Sequence, residues 1–377
     1  MKIGFDAKRL FCNFTGLGNY SRTLVANLAK FYPNHGYHLY SPRLKKQKKT
    51  ASFFKAPYQA FAPKTAFKSL WRSFSISKQL QQDGIQLYHG LSHELPVGIQ
   101  KSKLKSIVTI HDLIFKVYPQ TYSLFDRQIY DWKFRYSCQK ADRIIAISAH
   151  TKQDIVRYYN IDPEKIEVIY QACQSLYYTL NDKAAVEVLL QKYQLPERYI
   201  LSVGTLQERK NLKLLIKAYQ HLPKTQQLPI VIVGNGGAYK EEVKELIQKM
   251  NLKEFVFWIT DLESDQSLQA LYQKASLLVY PSFYEGFGLP VVEALLSKTP
   301  VITANTSALK EAGGPHSWYV APTDDKALAK AIQEVLENPK LAQSRCEKSY
   351  EYAQKTFHPK KLSKQLMDCY QQTISSE

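Results

Sequence analysis

Two carboxylates, Glu285 and Glu293, stand eight residues apart, and Gly286-Phe287-Gly288-Leu289-Pro290 lies between them. Residues of these types at this spacing suit the recognition of a sugar nucleotide. The glycines let backbone N–H groups approach a ligand closely, and a helix starting there favours an anion. A diphosphate would take the amides, and vicinal hydroxyl pairs would take the carboxylates. Upstream, Gly204-Thr205-Leu206-Gln207-Glu208-Arg209-Lys210-Asn211 places two adjacent cations in one turn. A departing diphosphate gathers negative charge, and cations already in place stabilise it without reorganising. Two shorter candidates lie in the first half of the chain. Ser106–Ile110 is an apolar run closed by His111 and Asp112, and Thr15-Gly16-Leu17-Gly18-Asn19-Tyr20 is a small glycine turn.

These residues need a particular scaffold. Ala275–Tyr280 reads as a buried strand stopped by Pro281, and Val291–Leu296 as a helix with an apolar side. Glu285 is therefore expected on a loop at a strand's C-terminal edge, and Glu293 inside the helix that follows. Strands are expected at Ile3–Phe5, Tyr37–Tyr40, Leu87–Tyr88, Ser106–Ile110, Arg143–Ile147 and Lys165–Ile169. Helices fit Tyr20–Phe31, Ser69–Gln82, Leu124–Gln139 and Ser148–Tyr159. The second half repeats the rhythm, with strands at Tyr199–Val203, Pro229–Val233, Phe255–Trp258, Leu277–Tyr280, Val301–Ala304 and Ser317–Val320. Such alternation means α/β architecture with parallel sheets, here two Rossmann-like domains. A chain of 377 residues holds two such domains comfortably. Periodicity lapses near Tyr170–Asp182. The expected domains are 1–175 and 176–355, with a terminal helical segment at 356–377.

Several function classes fit poorly. Gly16-Leu17-Gly18 lacks a third glycine at Ser21, and Gly234-Asn235-Gly236 has Tyr239 where one is needed, so a dinucleotide-binding dehydrogenase is disfavoured. No D-x-D motif and no His/Cys set with metal-ligand spacing occurs, so no metal or other cofactor is expected. The 5 cysteines are scattered and suit reduced thiols. The chain starts on a strand pattern without the apolar core of a signal peptide, and contains no bilayer-length apolar run. A cytoplasmic protein is expected.

The Glu285–Glu293 segment resembles the E-x7-E signature of retaining glycosyltransferases of GT-B fold, in particular family 4. Gly204–Asn211 resembles that family's G-x4-R-K-N segment, Thr15–Tyr20 its early glycine loop, and Ile110-His111-Asp112 its H-D pair. Ile110–Pro119, Ala141–Ser148 and Thr299–Asn305 are similar to a bacterial branch of mannosyltransferases that assemble polysaccharides. The resemblance implies two Rossmann-like domains facing a central cleft, with the terminal helix crossing back to the first domain. It implies diphosphate binding by Arg209 and Lys210, and a grip on ribose hydroxyls by Glu293. Sugar and phosphate contacts are implied for Glu285, Gly286, Phe287, Gly288 and Leu289, and nucleobase contact around Thr260. From the first domain, Gly16 and Gly18 would reach the diphosphate, His111 the transferred sugar, and Asn19 and Asp112 the acceptor. Glu285, His111, Arg209 and Lys210 are the catalytic candidates. GDP-mannose is the favoured donor, with a UDP-sugar possible. The expected chemistry is metal-independent front-side transfer, in which the leaving phosphate takes the acceptor's proton.

Charge is uneven along the chain. Residues 1–175 carry 27 Lys and Arg against 11 Asp and Glu, whereas residues 176–377 carry 24 against 22. Lys45-Lys46-Gln47-Lys48-Lys49, followed by Phe53, Phe54, Tyr58, Phe61, Phe67, Trp71 and Arg72, mixes cations with aromatics. That mixture suits an anionic membrane surface and a glycan or lipid-linked acceptor. Two alternatives stay open at this point: a sugar-nucleotide epimerase of the same fold, and a basic nucleic-acid-binding protein. No zinc-finger, RRM or KH pattern supports the latter, and nucleic acid is not an expected partner.

Overall fold

The computed structural model describes residues 1–63 and 70–375; Phe67 and the expected helix start at Ser69 lie outside the described residues. The chain forms two compact units, one of Met1–Ala172 with Phe357–Glu377, the other of Cys173–Thr356.

The first unit is built on β1 (Lys2–Asp6), β2 (Gly36–Tyr40), β3 (Tyr58–Phe61), β4 (Leu87–Gly90), β5 (Lys105–Ile110), β6 (Arg143–Ala146) and β7 (Ile166–Val168). They form one parallel sheet in the order β3-β2-β1-β4-β5-β6-β7. The second unit holds β8 (Ile200–Val203), β9 (Ile230–Val233), β10 (Val256–Ile259), β11 (Leu277–Tyr280), β12 (Val301–Ala304) and β13 (Trp318–Val320). Their order is β10-β9-β8-β11-β12-β13, also parallel. The cause is visible in the sequence. Ile230-Val-Ile-Val233 and Leu277-Leu-Val-Tyr280 are buried at every position, and a sheet covered by helices on both faces requires such continuous apolar runs. In the second unit Leu212, Leu215, Ile216 and Tyr219 of the helix Leu212–Tyr219 pack with Ile230, Ile232, Val279 and Ile302.

Both sheets reverse their strand order at one place, between β1 and β4 and between β8 and β11. The loops after those strands diverge to opposite faces and leave a crevice, the usual ligand position in open α/β sheets. Every candidate residue except Thr260, Asp112 and His111 follows one of these four strands, and His111 follows the neighbouring β5.

Two expectations need correction. Phe53, Phe54, Tyr58, Phe61 and Trp71 do not stand exposed as a headgroup surface would require. Phe53 and Trp71 are buried, Phe54 packs edge-on against Phe11 at 5.3 Å, and Phe61 stacks on Tyr40 at 5.0 Å. They close the edge of the sheet around β3, a strand the basic composition of this region hides. The glycine turn is also not a loop ahead of a helix. The helix begins at Gly16, not Tyr20, and runs to Phe31. Asn13 Oδ1 accepts from the N–H groups of Thr15 and Gly18, each at 3.0 Å, doing the work of a helix cap. A β-carbon at residue 18 would stand 1.7 Å from the Asn13 carbonyl oxygen, so only glycine permits this packing.

The helix Pro359–Ser375 packs on the helix Gly16–Phe31. Tyr370 of that helix shares a buried hydrogen bond of 2.6 Å with His89 Nδ1 at the end of β4.

Candidate functional site

In the second unit the loop after β8 and the loop after β11 are stitched together. The turn Glu208–Lys210 ends at Asn211, whose backbone is left-handed with φ of 57°. That conformation turns its side chain across the gap, where Nδ2 donates to the carbonyls of Pro281 at 3.0 Å and Pro322 at 2.7 Å. Phe283 N–H donates back to the Arg209 carbonyl at 2.9 Å.

This stitching brings Arg209 and Lys210 onto Glu285. Its Oε1 lies 2.8 Å from Arg209 Nη1 and 2.6 Å from Lys210 Nζ, and accepts from Tyr280 OH at 3.1 Å. Arg209 also donates to the Tyr284 carbonyl. Lys210 Nζ sits 4.9 Å from the Tyr280 ring centroid, a cation–π contact. Ser307 Oγ accepts from the Glu285 N–H at 2.9 Å and fixes the loop from the other side. Glu285 is 7% exposed. Burial alone would raise its pKa, but the charges of Lys210 and Arg209 prevail and hold it at about 2. A carboxylate so stabilised is a poor base and a poor acid at neutral pH. It orients the two cations.

Gly288, with φ of 115°, turns the chain into the helix Leu289–Leu296. Leu289 opens that helix, so its N–H has no intrahelical acceptor and points outward from the end. Phe287 is buried beneath the loop.

Glu293 does not join the Arg209–Lys210–Glu285 group. It is half-buried on the helix, and Tyr272 OH donates to its Oε2 at 3.0 Å. Burial raises its pKa to about 7, against the lowering effect of the Tyr272 hydrogen bond, and Asp265 adds to the rise. The two carboxylates of the motif thus differ by several units in acidity because only one has cations beside it. Thr260 is exposed just past the end of β10, with no contact to this group among the described interactions.

The first unit's candidates occupy its own carboxyl edge. His111 is buried, donates through Nε2 to the Leu91 carbonyl at 2.9 Å, and meets the edges of Tyr20 and His93 at 4.6 and 5.1 Å. Burial brings its pKa down to about 3, so the imidazole is neutral. Asp112 Oδ1 accepts from Ile114 N–H at 3.1 Å and shapes the turn after β5. Asn19 Oδ1 accepts from Arg22 Nη2 at 2.6 Å, while Gly16 has open space around it.

Sequence reasoning did not single out Tyr280, Tyr272, Asn211 or Ser307 as site residues. Asn211 could have been found, since it completes the quoted Arg-Lys-Asn turn and asparagine tolerates the left-handed conformation. The tyrosines read only as strand and helix residues, and nothing local marks their hydroxyls.

Residues 14–173 match the model of Glycosyltransferase Family 4, and residues 189–356 match that of Glycosyl transferases group 1. Together the two cover most of the chain. The chain belongs to the family 4 glycosyltransferases. It is 28% identical to O-antigen chain mannosyltransferase B of Escherichia coli over 90% of this chain and 91% of that protein. It is 30% identical to O-antigen chain mannosyltransferase RfbU of Salmonella typhimurium over 62% of this chain and 61% of that protein. Among solved structures, Anabaena Alr3699/HepE in complex with UDP superimposes with a TM-score of 0.77 and 16% identity, covering 99% of this chain and all of that one. The fold is GT-B, and this family 4 enzyme transfers a sugar from a nucleotide sugar.

Proposed function

We propose that this glycosyltransferase is a metal-independent, retaining hexosyltransferase that moves mannose from GDP-mannose to a glycan carried on a lipid. The observation that carries the reading is the convergence of Arg209 and Lys210 on one oxygen of Glu285 at the β8–β11 switch point. One carboxylate and two cations leave a net positive charge held rigid before substrate arrives. Rigid charge is what a leaving nucleoside diphosphate needs, since no reorganisation is spent at the moment of bond cleavage. The amides at Gly288 and Leu289 supply donors beside it, and Glu293 receives the ribose hydroxyls. With Glu285 held ionised by its two cations, that carboxylate is not a ready nucleophile for a covalent intermediate. The leaving phosphate is then the base that accepts the acceptor's proton, and attack from the same face retains the configuration. The preference for mannose rests on the two curated relatives, both named as mannosyltransferases. UDP remains the second choice of nucleotide, on the HepE complex.

Contact with an anionic bilayer fits the first unit. Among the described residues its large apolar side chains that stand more than half exposed are Leu70, Phe74, Leu124, Phe125 and Trp132. Trp132 stacks on Tyr136, whose hydroxyl binds Gly98 N–H, and Ser73 is bonded to the adjoining Val97. Leu124, Phe125 and Trp132 lie on one helix, Leu124–Lys140, together with Lys133 and Arg135. Among the described residues no helix is long and apolar enough to cross a membrane, so the contact is peripheral.

The test is product analysis. GDP-mannose and a mannosyl-lipid acceptor should yield free GDP and a new glycoside with an α-anomeric proton by NMR. Recovery of an epimerised nucleotide sugar without glycoside would favour the epimerase alternative, and an inverted anomer would remove the retaining assignment.

A further inference from the structure

The carboxyl edge of the first unit repeats the plan of the second at its own switch point. In the second unit two adjacent cations, Arg209 and Lys210, follow β8, and Glu285 follows the neighbouring β11. In the first unit Lys8 and Arg9 follow β1, and Glu94 follows the neighbouring β4.

The ion pairing differs. Glu285 takes both of its cations, but Glu94 is engaged elsewhere, by Arg72 Nη1 at 2.8 Å and Lys133 Nζ at 3.2 Å. Asp6, the other acid, is gripped by Arg72 Nε at 3.1 Å to each carboxylate oxygen and by Nη2. Lys8 and Arg9, both half-buried, have no ion-pair partner among the described residues. Four cations against two acids leave a net charge of +2 in this cluster, beside His93 and His111, which are neutral through burial. A phosphate dianion matches that charge. The Lys8 ammonium accordingly has a lowered pKa, through burial first and then repulsion by Arg72. His93 adds an independent sign of function. It holds a left-handed backbone with φ of 64° while its ring stacks on Phe134 at 4.2 Å, and strain of this kind in a non-glycine residue concentrates at ligand sites.

We propose that Lys8 and Arg9 form an anion subsite beside His93 and His111 that seats a phosphate group of the acceptor. It rests on the glycosyltransferase reading and names the chemistry by which that enzyme holds its acceptor. A phosphate fixed there sets the distance from the carrier to the reacting hydroxyl, so this site would select acceptors by their anionic linkage. A neutral glycan would lack that anchor.

The first experiment needs no substrate. Inorganic phosphate is titrated into the full chain saturated with GDP, and the imidazole nitrogen signals of His93 and His111 are followed by NMR. Phosphate should shift both, and Lys8→Ala with Arg9→Ala should abolish the shift. A shift that persists in the double variant, or that vanishes once GDP is bound, overturns the proposal; the latter outcome would assign the anion to the donor's phosphates. The second experiment compares octyl mannoside with octyl mannosyl diphosphate as acceptors. The double variant should raise KM for the diphosphate at least tenfold, the scale of one lost charge-assisted contact, and leave KM for the neutral glycoside unchanged. Lys8→Arg with Arg9→Lys should restore most of the difference. Equal losses with both acceptors, together with lost binding to phosphatidylglycerol vesicles, would point to bilayer phosphate and refute the subsite. GDP-mannose stabilisation of the unmodified chain, measured separately, tells failure of this proposal from failure of the glycosyltransferase reading.

Discussion

Lys210, Arg209 and Glu285 form a unit in which each member has a different consequence when removed. Lys210→Ala takes away a preplaced charge at the departing phosphate, so kcat in a transfer assay should fall about 100-fold, the usual cost of one such donor. Glu285→Ala leaves two largely buried cations without their carboxylate. It should destabilise the second unit by about 3–5 kcal/mol in urea unfolding, in addition to losing activity. Glu293 is governed by pH. Its pKa rises on folding from 4.5 to about 7, so the folded state holds a proton that the unfolded state gives up. Stability therefore declines as pH rises from about 4.5 to 7 and is level above, by at most ~3 kcal/mol. Glu293→Gln should remove that decline. Donor affinity should move the other way, since only the carboxylate accepts two hydroxyls: it should strengthen through pH 7 in the natural chain and be weak and flat in the Gln variant. Calorimetric titration at pH 6 and 8 reads this directly, and a natural chain with no pH dependence would contradict it.

At the level of elements, the strands were legible because a parallel sheet buried on both faces leaves continuous apolar runs such as Ile230–Val233. β3 was not, because Tyr58-Gln-Ala-Phe61 is a half-buried edge strand flanked by lysines. The motifs named the loops on which Arg209, Lys210 and Glu285 lie, and their meeting follows from the adjacency of β8 and β11. Sequence could not show that Glu293 pairs with Tyr272 instead of that group, since the contact joins different helices. Nor could it show that Gly18 is needed for contact with Asn13. Gly18→Ala should unwind the start of the helix Gly16–Phe31, visible as faster amide exchange over residues 15–22, whereas Gly16→Ala should not. The terminal helix offers a second check. Tyr370→Phe leaves buried His89 without one of its partners and should cost about 1–3 kcal/mol of stability. An unchanged unfolding midpoint would mean the bond contributes nothing.

For the whole molecule, the excess of positive charge in residues 1–175 and the exposed apolar side chains of the first unit fit the proposed contact with an anionic bilayer. Phe125→Ser with Trp132→Ser should weaken binding to anionic vesicles at least tenfold, estimated from the apolar area two exposed aromatics would bury, and leave GDP-mannose binding as it was. Retained vesicle binding would move the contact to another surface. The two units differ in charge, the second near neutral and the first basic, which fits the proposal that the second takes the donor and the first the acceptor. The account stands or falls on donor recognition by the second unit, which thermal unfolding with GDP-, UDP- and ADP-sugars tests most directly. One of them, present at ~100 times its dissociation constant, should add about 2.7 kcal/mol to stability, and Glu293→Ala and Arg209→Ala should each erase most of that gain. Equal stabilisation of the natural chain and both variants, or none by any nucleotide sugar, would contradict it.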